Sequence, residues 1–162
     1  MKMIVCISEN YGIGYGGKLL FSLPPDMKFF RETTLGKCVI MGRSTLESFP
    51  GKKPLKNREN IVLSRDKSFE CDGAVVLGSV KDAAEYANSR FNGDAFVIGG
   101  AQIYRQFEPY CDEALVTKVY KTADADAFFF DIDSSPDWEL KENSGILEYE
   151  GMKYAFLKYV RK

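Results

Sequence analysis

Four short runs of almost unbroken apolar residues limit what this chain can fold into. MIVCIS (3–8), CVIMG (38–42), NIVLS (60–64) and AVVLG (74–78) are five or six residues long. They are too short for stable helices and lack the alternation of a strand with one wet face. Such runs read as strands covered on both sides, as in parallel sheets joined by crossover helices.

The intervals between the runs hold helical patterns. In LLFSLPPDMKFFRETT two prolines stand where a helix can begin, which predicts a helix from about Pro25 to Thr33. Asp26 falls in its first turn, the favourable end of the helix dipole, with Met27 and Phe30 beside it at i+1 and i+4. RSTLESF predicts a short helix with Ser44 as cap and Glu47 completing a capping box. SVKDAAEYANSRF predicts a helix starting near Ser79, with Val80, Ala83, Ala84 and Ala87 on its apolar side. DAFVIGGAQIYRQFEPYCD predicts a strand at 95–98, a Gly99-Gly100 turn and an amphipathic helix ending before Pro109. EALVTKVYKT reads as a strand, and GMKYAFLKYV as an antiparallel partner or edge strand. Asn10 to Lys18 holds four glycines and reads as a permissive loop. Alternating strands and helices predict one α/β domain over residues 1–162, with helices on both faces of the sheet.

Composition removes several chemistries. With no histidine, the chain has no His-containing zinc site, no Ser-His triad and no imidazole acid or base. A proton must come from a carboxyl group, Tyr, Lys, Cys or water. Twenty-two basic residues balance 23 acidic ones for a net charge of -1, so no overall field favours nucleic acid or an anionic membrane. No segment is long and apolar enough to cross a bilayer, and the N-terminal apolar stretch is too short for a signal-peptide core. A cytoplasmic protein is the expectation. Cys6, Cys38, Cys71 and Cys111 form no CxxC pair and read as small hydrophobes; no metal site is expected.

Several residues can carry chemistry, each with a plainer reading beside it. Gly99-Gly100, ending a buried strand and opening a helix, suits a phosphate at a helix N-terminus or simply a tight turn. Arg43, with Ser44 and Thr45, follows a strand at the usual binding edge; it suits an anion, or a surface arginine beside a cap. Ser64-Arg65 could recognise an extra phosphate or be a solvated strand end. Arg58 could clamp a carboxylate or belong to a solvated charge run with Lys52, Lys53 and Lys56. Asp26, among Phe21, Met27, Phe29 and Phe30, could meet a polar ring edge in low dielectric or be an ordinary first-turn aspartate.

Taken in order, IVCISENYGIG, LFSLPPDMKFFRETT, VIMGRSTLESF, NRENIVLSR, FVIGGAQIYRQF, ALVTKVY and DADAFF resemble the dihydrofolate reductase family over nearly the whole chain. The resemblance implies a mainly parallel eight-stranded sheet flanked by four helices, with its last strand antiparallel. It implies NADPH as cofactor and dihydrofolate as substrate, in a monomer open to antifolate inhibitors. Asp26 would bind the pterin ring and support protonation at N5, with Phe21 and Thr117 completing the catalytic set. Ile4, Val5, Met27, Phe30, Ile98 and Tyr104 would surround pterin and nicotinamide. Phe49 and Leu55 would border the benzoyl group, and Arg58 would hold the glutamate carboxylate.

The same resemblance implies a cofactor site. Cys6, Ile13, Gly14 and Leu19 would lie toward nicotinamide, with residues 10–21 a closing loop held by Asp126. Gly42, Arg43, Ser44 and Thr45 would face the phosphates opposite Gly99, Gly100, Ala101, Gln102 and Ile103, the glycine pair being joined by a cis peptide. Ser64 and Arg65 would take the ribose phosphate with Arg43, and Leu63 would also border the cofactor. The chain departs from the family pattern at Leu20-Phe21, where Pro-Trp is common, and at Ala101-Gln102, where glycine and a basic residue are common. Two other readings remain: a related reductase of a riboflavin-pathway pyrimidine, against which Asp26 argues, and a nonenzymatic nucleotide-binding protein.

Overall fold

The apolar runs form the middle of one sheet in the computed structural model, which describes residues 1–162. In chain order the elements begin with β1 (Lys2–Ile7), β2 (Gly12–Tyr15), β3 (Lys18–Leu19), α1 (Pro24–Thr34), β4 (Cys38–Gly42) and α2 (Arg43–Glu47). Next come β5 (Glu59–Leu63), β6 (Ala74–Leu77), α3 (Val80–Phe91), β7 (Ala95–Gly99) and α4 (Ala101–Phe107). The chain closes with β8 (Glu113–Val119), β9 (Ala127–Phe128), β10 (Trp138–Asn143), β11 (Leu147–Tyr149) and β12 (Met152–Arg161).

The main sheet runs β10-β12-β8-β1-β7-β4-β5-β6, with β11 paired to β12 off this path. From β8 to β6 every neighbouring pair is parallel, whereas β12 is antiparallel to both β8 and β10. The strand period of two divides the core. Met3, Val5, Ile7, Ile40, Ile61 and Val97 pack with Ala83, Ala84 and Ala87 of α3 and with Tyr104 and Phe107 of α4. Ile4, Val39, Met41, Val62 and Phe96 point the other way, onto Leu46 of α2 with Phe29 and Phe30 of α1. Three layers result, and the parallel strands deliver their C-terminal ends to one edge.

Three local expectations change. The glycine-rich stretch is a small sheet: β2 pairs with β3 and with β9, in the order β3-β2-β9. Its tight turn at Gly16 and Gly17 has φ of 59° and 77°, so the glycines permit a hairpin as readily as a loop. β12 is the expected antiparallel partner, of β8, and only its edge reading falls, because β10 covers its outer side. β10 is WELKEN, exposed after Trp138; its charges suit a sheet edge and hide its strand character in sequence. Ser44 does not cap α2: Gly42 is the N-cap and makes no side-chain bond. The helix starts two residues earlier than a Ser44 cap requires, so Ser44 lies within its first turn. The Ser79 cap of α3 does form, with its Oγ accepting from Asp82 N at 3.1 Å.

Gly12 is where the small sheet meets the large one. A Cβ there would lie 2.7 Å from Ala125 Cβ and 2.9 Å from both Leu20 Cδ1 and Ser8 Oγ. Gly12→Ala should therefore lower unfolding free energy by about 1–3 kcal/mol, the usual cost of overpacking. A denaturant titration checks it; an unchanged midpoint contradicts this close approach.

Candidate active site

The edge formed by the parallel strand ends is divided into a cleft beside α1 and a groove between α2, α3 and α4. Asp26 marks the cleft. The Leu23-Pro24-Pro25 sequence starts α1, with buried Leu23 as N-cap residue, and sets Asp26 in the first turn facing β8. Thr117, 2% exposed, donates its hydroxyl to Asp26 Oδ1 at 2.6 Å. Cys6 is level with Thr117 in the parallel β1–β8 register and also faces this carboxyl. Burial raises the Asp26 pKa above the ordinary aspartate value, and the Thr117 and Cys6 hydrogen bonds offset part of that shift. Burial likewise pushes the Cys6 thiol up, with the Asp26 charge adding to the effect, so Cys6 remains protonated. Asp26 is thus a carboxyl with high proton affinity, one oxygen tied to the sheet and no cationic partner.

The expected substrate residues mostly converge. Ile4, Phe30, Phe49, Leu55 and Ile98 share one apolar cluster. Met27 is 59% exposed, an apolar rim residue on the same helix as Asp26. Val5 is a correction: its side chain packs in the opposite core layer, because alternate β1 residues face opposite sides. Tyr104 also sits in that layer, where its hydroxyl donates to Ile4 O at 2.7 Å. Burial pushes its phenol pKa up, which suits a strut under β1 better than a proton donor. Phe21 packs beside Leu23, Val119 and Tyr154, so its ring contributes shape and no donor.

Arg58 lies at the far end of this cleft, its guanidinium 5.8 Å from the Phe30 ring centre. Asn60 shapes the turn by accepting from Leu55 N at 3.0 Å and donating to Leu55 O and Arg58 O at 2.9 and 3.1 Å. Arg58 Nε is the one buried side-chain polar atom without a hydrogen-bond partner. Burial and neighbouring Arg31 both lower the Arg58 pKa, and each would be relieved by a bound carboxylate.

The groove has a volume of about 1120 Å³. Gly42, Arg43, Ser44 and Thr45 line one wall, Gly100, Ala101, Gln102 and Ile103 the other, and Leu63, Ser64 and Arg65 the far end. Gly99-Gly100 is a cis peptide, and a Cβ on either residue would sit 3.6–3.8 Å from Thr45 Oγ1, in the space between the walls. Neither α2 nor α4 has a side-chain cap, so their first amides are available to phosphate oxygens. Arg43 is already paired, with Asp66 and Glu47 both at 3.3 Å, and stacks on Phe69 at 4.1 Å. Arg65 has no carboxylate within 4.0 Å. These glycines, uncapped helix starts and arginines fit a dinucleotide with an additional phosphate.

Asp126 holds the hairpin as the resemblance implied, its Oδ2 accepting from Gly16 N at 3.0 Å and its amide donating to Gly14 O at 3.0 Å. Gly14 pairs with Leu19 across the hairpin, Leu19 is 75% exposed, and Ile13 packs on the larger core. Sequence reasoning missed Gly78, Ser79, Val80 and Arg105, which also line the groove. Ser79 was visible as a cap at a strand end, the same position that singled out Ser44. Arg105 follows Gln102 by three residues, hence on the same side of α4, and restores the positive charge that Gln102 lacks.

The dihydrofolate reductase family model matches residues 1–161. A dihydrofolate reductase of Neisseria meningitidis serogroup B is 38% identical over 161 residues, covering 99% of this chain and 98% of that protein. The Bacillus subtilis enzyme is 35% identical over 164 residues, covering 100% and 95%. The structure of an Enterococcus faecalis dihydrofolate reductase complexed with NADP(H) and RAB-propyl superposes with a TM-score of 0.86. It is 32% identical and covers 99% of this chain and 95% of the other. With the fold, the carboxyl cleft and the glycine-lined groove in agreement, this chain belongs to the dihydrofolate reductase family.

Proposed function

We propose that Asp26 and the two clefts carry out NADPH-dependent reduction of dihydrofolate to tetrahydrofolate. The buried Asp26 carboxyl, fixed by Thr117, is the observation that carries this reading. Bound NADPH supplies a hydride from nicotinamide C4 to pterin C6; a proton added at N5 completes reduction of the C=N bond. Asp26 accepts hydrogen bonds from the amino edge of the pterin, and its negative charge favours the protonated ring. Ile4, Phe30 and Ile98 exclude water around the ring, while Phe49 and Leu55 border the linker toward Arg58. Arg58 binds the substrate carboxylate. The uncapped starts of α2 and α4 hold the phosphates, and Ser64 and Arg65 read the ribose phosphate.

Antifolates that present a similar donor edge to Asp26 are proposed ligands of the same cleft. A monomer suffices, since both clefts are built within one chain. All four cysteines are free, which suits a reducing cytoplasm. A pyrimidine substrate is disfavoured because it would leave the Arg58 end of the cleft unused.

NADPH consumption on adding dihydrofolate, with NADH and a riboflavin-pathway pyrimidine run in parallel, tests the assignment. NADPH oxidation dependent on dihydrofolate is expected; oxidation with the pyrimidine alone overturns it. Because Arg43 is paired and Arg65 is not, Arg65→Ala should lose more NADPH affinity than Arg43→Ala. A loss of about 10–100-fold follows from one charge-assisted interaction, with NADH kinetics unchanged. Equal losses with NADH contradict the phosphate-reading role of Arg65.

A further inference from the structure

We propose that Asp133 is a positioning residue for the cofactor groove and acts through Tyr11. The inference rests on the groove being the NADPH site. Tyr11 lies between β1 and β2, at the root of the glycine hairpin, with φ of 63°. A non-glycine residue in that region persists only where its surroundings over-determine it. Its carbonyl accepts from Phe129 N at 2.8 Å, and its phenol donates to Asp133 Oδ2 at 2.5 Å.

Asp133 is itself fixed from the main sheet. Its Oδ1 accepts the hydroxyl of Tyr159, a 3% exposed residue of β12, at 2.6 Å. Lys118 Nζ, from β8, lies 3.9 Å from Oδ2 and 5.9 Å from the Tyr11 ring centre. The carboxylate therefore joins a strand of the main sheet to the residue that immediately precedes β2. Asp131 also lies close to this phenol.

The consequence reaches the groove through strand pairing. β2 follows Tyr11 and pairs with β9 at Gly12–Phe128 and Gly14–Ala127. Asp126, Ala127 and Phe128 line the cofactor groove. Freeing the Tyr11 phenol lets the strained residue relax and shifts β2, and with it the wall against which the cofactor rests. Asp133 touches no ligand; its effect is on cofactor residence. The hydrogen-bond partners of Asp133, Tyr11 and Tyr159, are not among the residues placed at the dihydrofolate cleft beside α1.

The test is the NADPH release rate, measured by stopped flow for the parent, Tyr11→Phe, Asp133→Asn and Tyr159→Phe proteins, with dihydrofolate affinity and unfolding midpoint measured for each. Tyr11→Phe should release NADPH about tenfold faster, as expected for one lost hydrogen bond to a charged group. Its dihydrofolate affinity should stay within about twofold, because no shared contact is lost. Adding Asp133→Asn to Tyr11→Phe should speed release little further. Tyr159→Phe should lower the unfolding midpoint more than Tyr11→Phe does. A parent protein that binds NADPH while Tyr11→Phe releases it at the parent rate overturns the positioning role alone. Equal weakening of NADPH and dihydrofolate binding, tracking lost stability, overturns it in favour of a structural contact. A folded parent that fails to bind NADPH overturns both this inference and the cofactor assignment.

Discussion

Asp26→Asn should lose about 10²–10⁴-fold of its turnover with dihydrofolate at neutral pH, the range of a lost acid–base group, and yet unfold less readily than the parent. The two effects share one cause. Burial raises the Asp26 pKa, so the folded protein binds this proton more tightly than the unfolded chain, whose aspartates titrate near pH ~3.9. Stability from this group is fully present below that value and is lost as pH rises through the folded pKa. At neutral pH the ionised carboxylate is a liability in the empty protein. Asn removes the charge, keeps an oxygen for the Thr117 hydroxyl and cannot support proton transfer. The stability gain should therefore appear at neutral pH and vanish below about pH 4. Turnover of the variant should recover in acid, where the substrate takes its proton from solvent. Unfolding curves and single-turnover rates at several pH values check both effects; full turnover at neutral pH contradicts the role of Asp26.

Arg58→Leu should raise the KM for dihydrofolate by about 10–150-fold, the equivalent of a charged hydrogen bond, while kcat at saturation stays close to the parent value. The reason is the partnerless Nε beside Phe30. The guanidinium waits for an anion that Arg31, as a like charge, cannot replace. Its interaction with a substrate carboxylate is the same in ground state and transition state, so its loss falls on KM. Leucine preserves the apolar cover over Phe30, and the empty protein should remain as stable as the parent or more so. A matching fall in kcat would place Arg58 in the chemistry and contradict a binding role.

Much of this was legible because one physical pattern dominates each element. Uninterrupted apolar runs identified the parallel strands, and Ser79 with Asp82 identified the start of α3. Failures occurred where two patterns competed. The four glycines of the hairpin are compatible with a loop or a tight two-stranded turn, and only pairing with β9 decides between them. WELKEN is too charged to announce a strand, although charge is what an exposed sheet edge requires. Val5 was assigned to the substrate cleft with Ile4, but the period of two sends consecutive side chains to opposite layers.

The site shows a similar division. Asp26 was identifiable as a charge in apolar company, whereas Arg58 stood in a basic run with Lys52, Lys53 and Lys56 and was singled out by the family resemblance. The groups around them were less visible. Cys6 resembled an ordinary buried thiol until strand register placed it level with Thr117. Asp133 looked like one acid among several in DADAFFFDIDSS, because its partners Tyr11, Lys118 and Tyr159 come from three distant parts of the chain. Arg105 was overshadowed by Gln102, one helical turn before it.

The most direct measurement is a single-turnover reaction of the purified protein with dihydrofolate and NADPH carrying deuterium at the transferred C4 position. The expected result is tetrahydrofolate with deuterium at C6 and loss of one NADPH for each product formed. Folded protein that binds both ligands but places no deuterium at C6 contradicts hydride transfer between the two clefts.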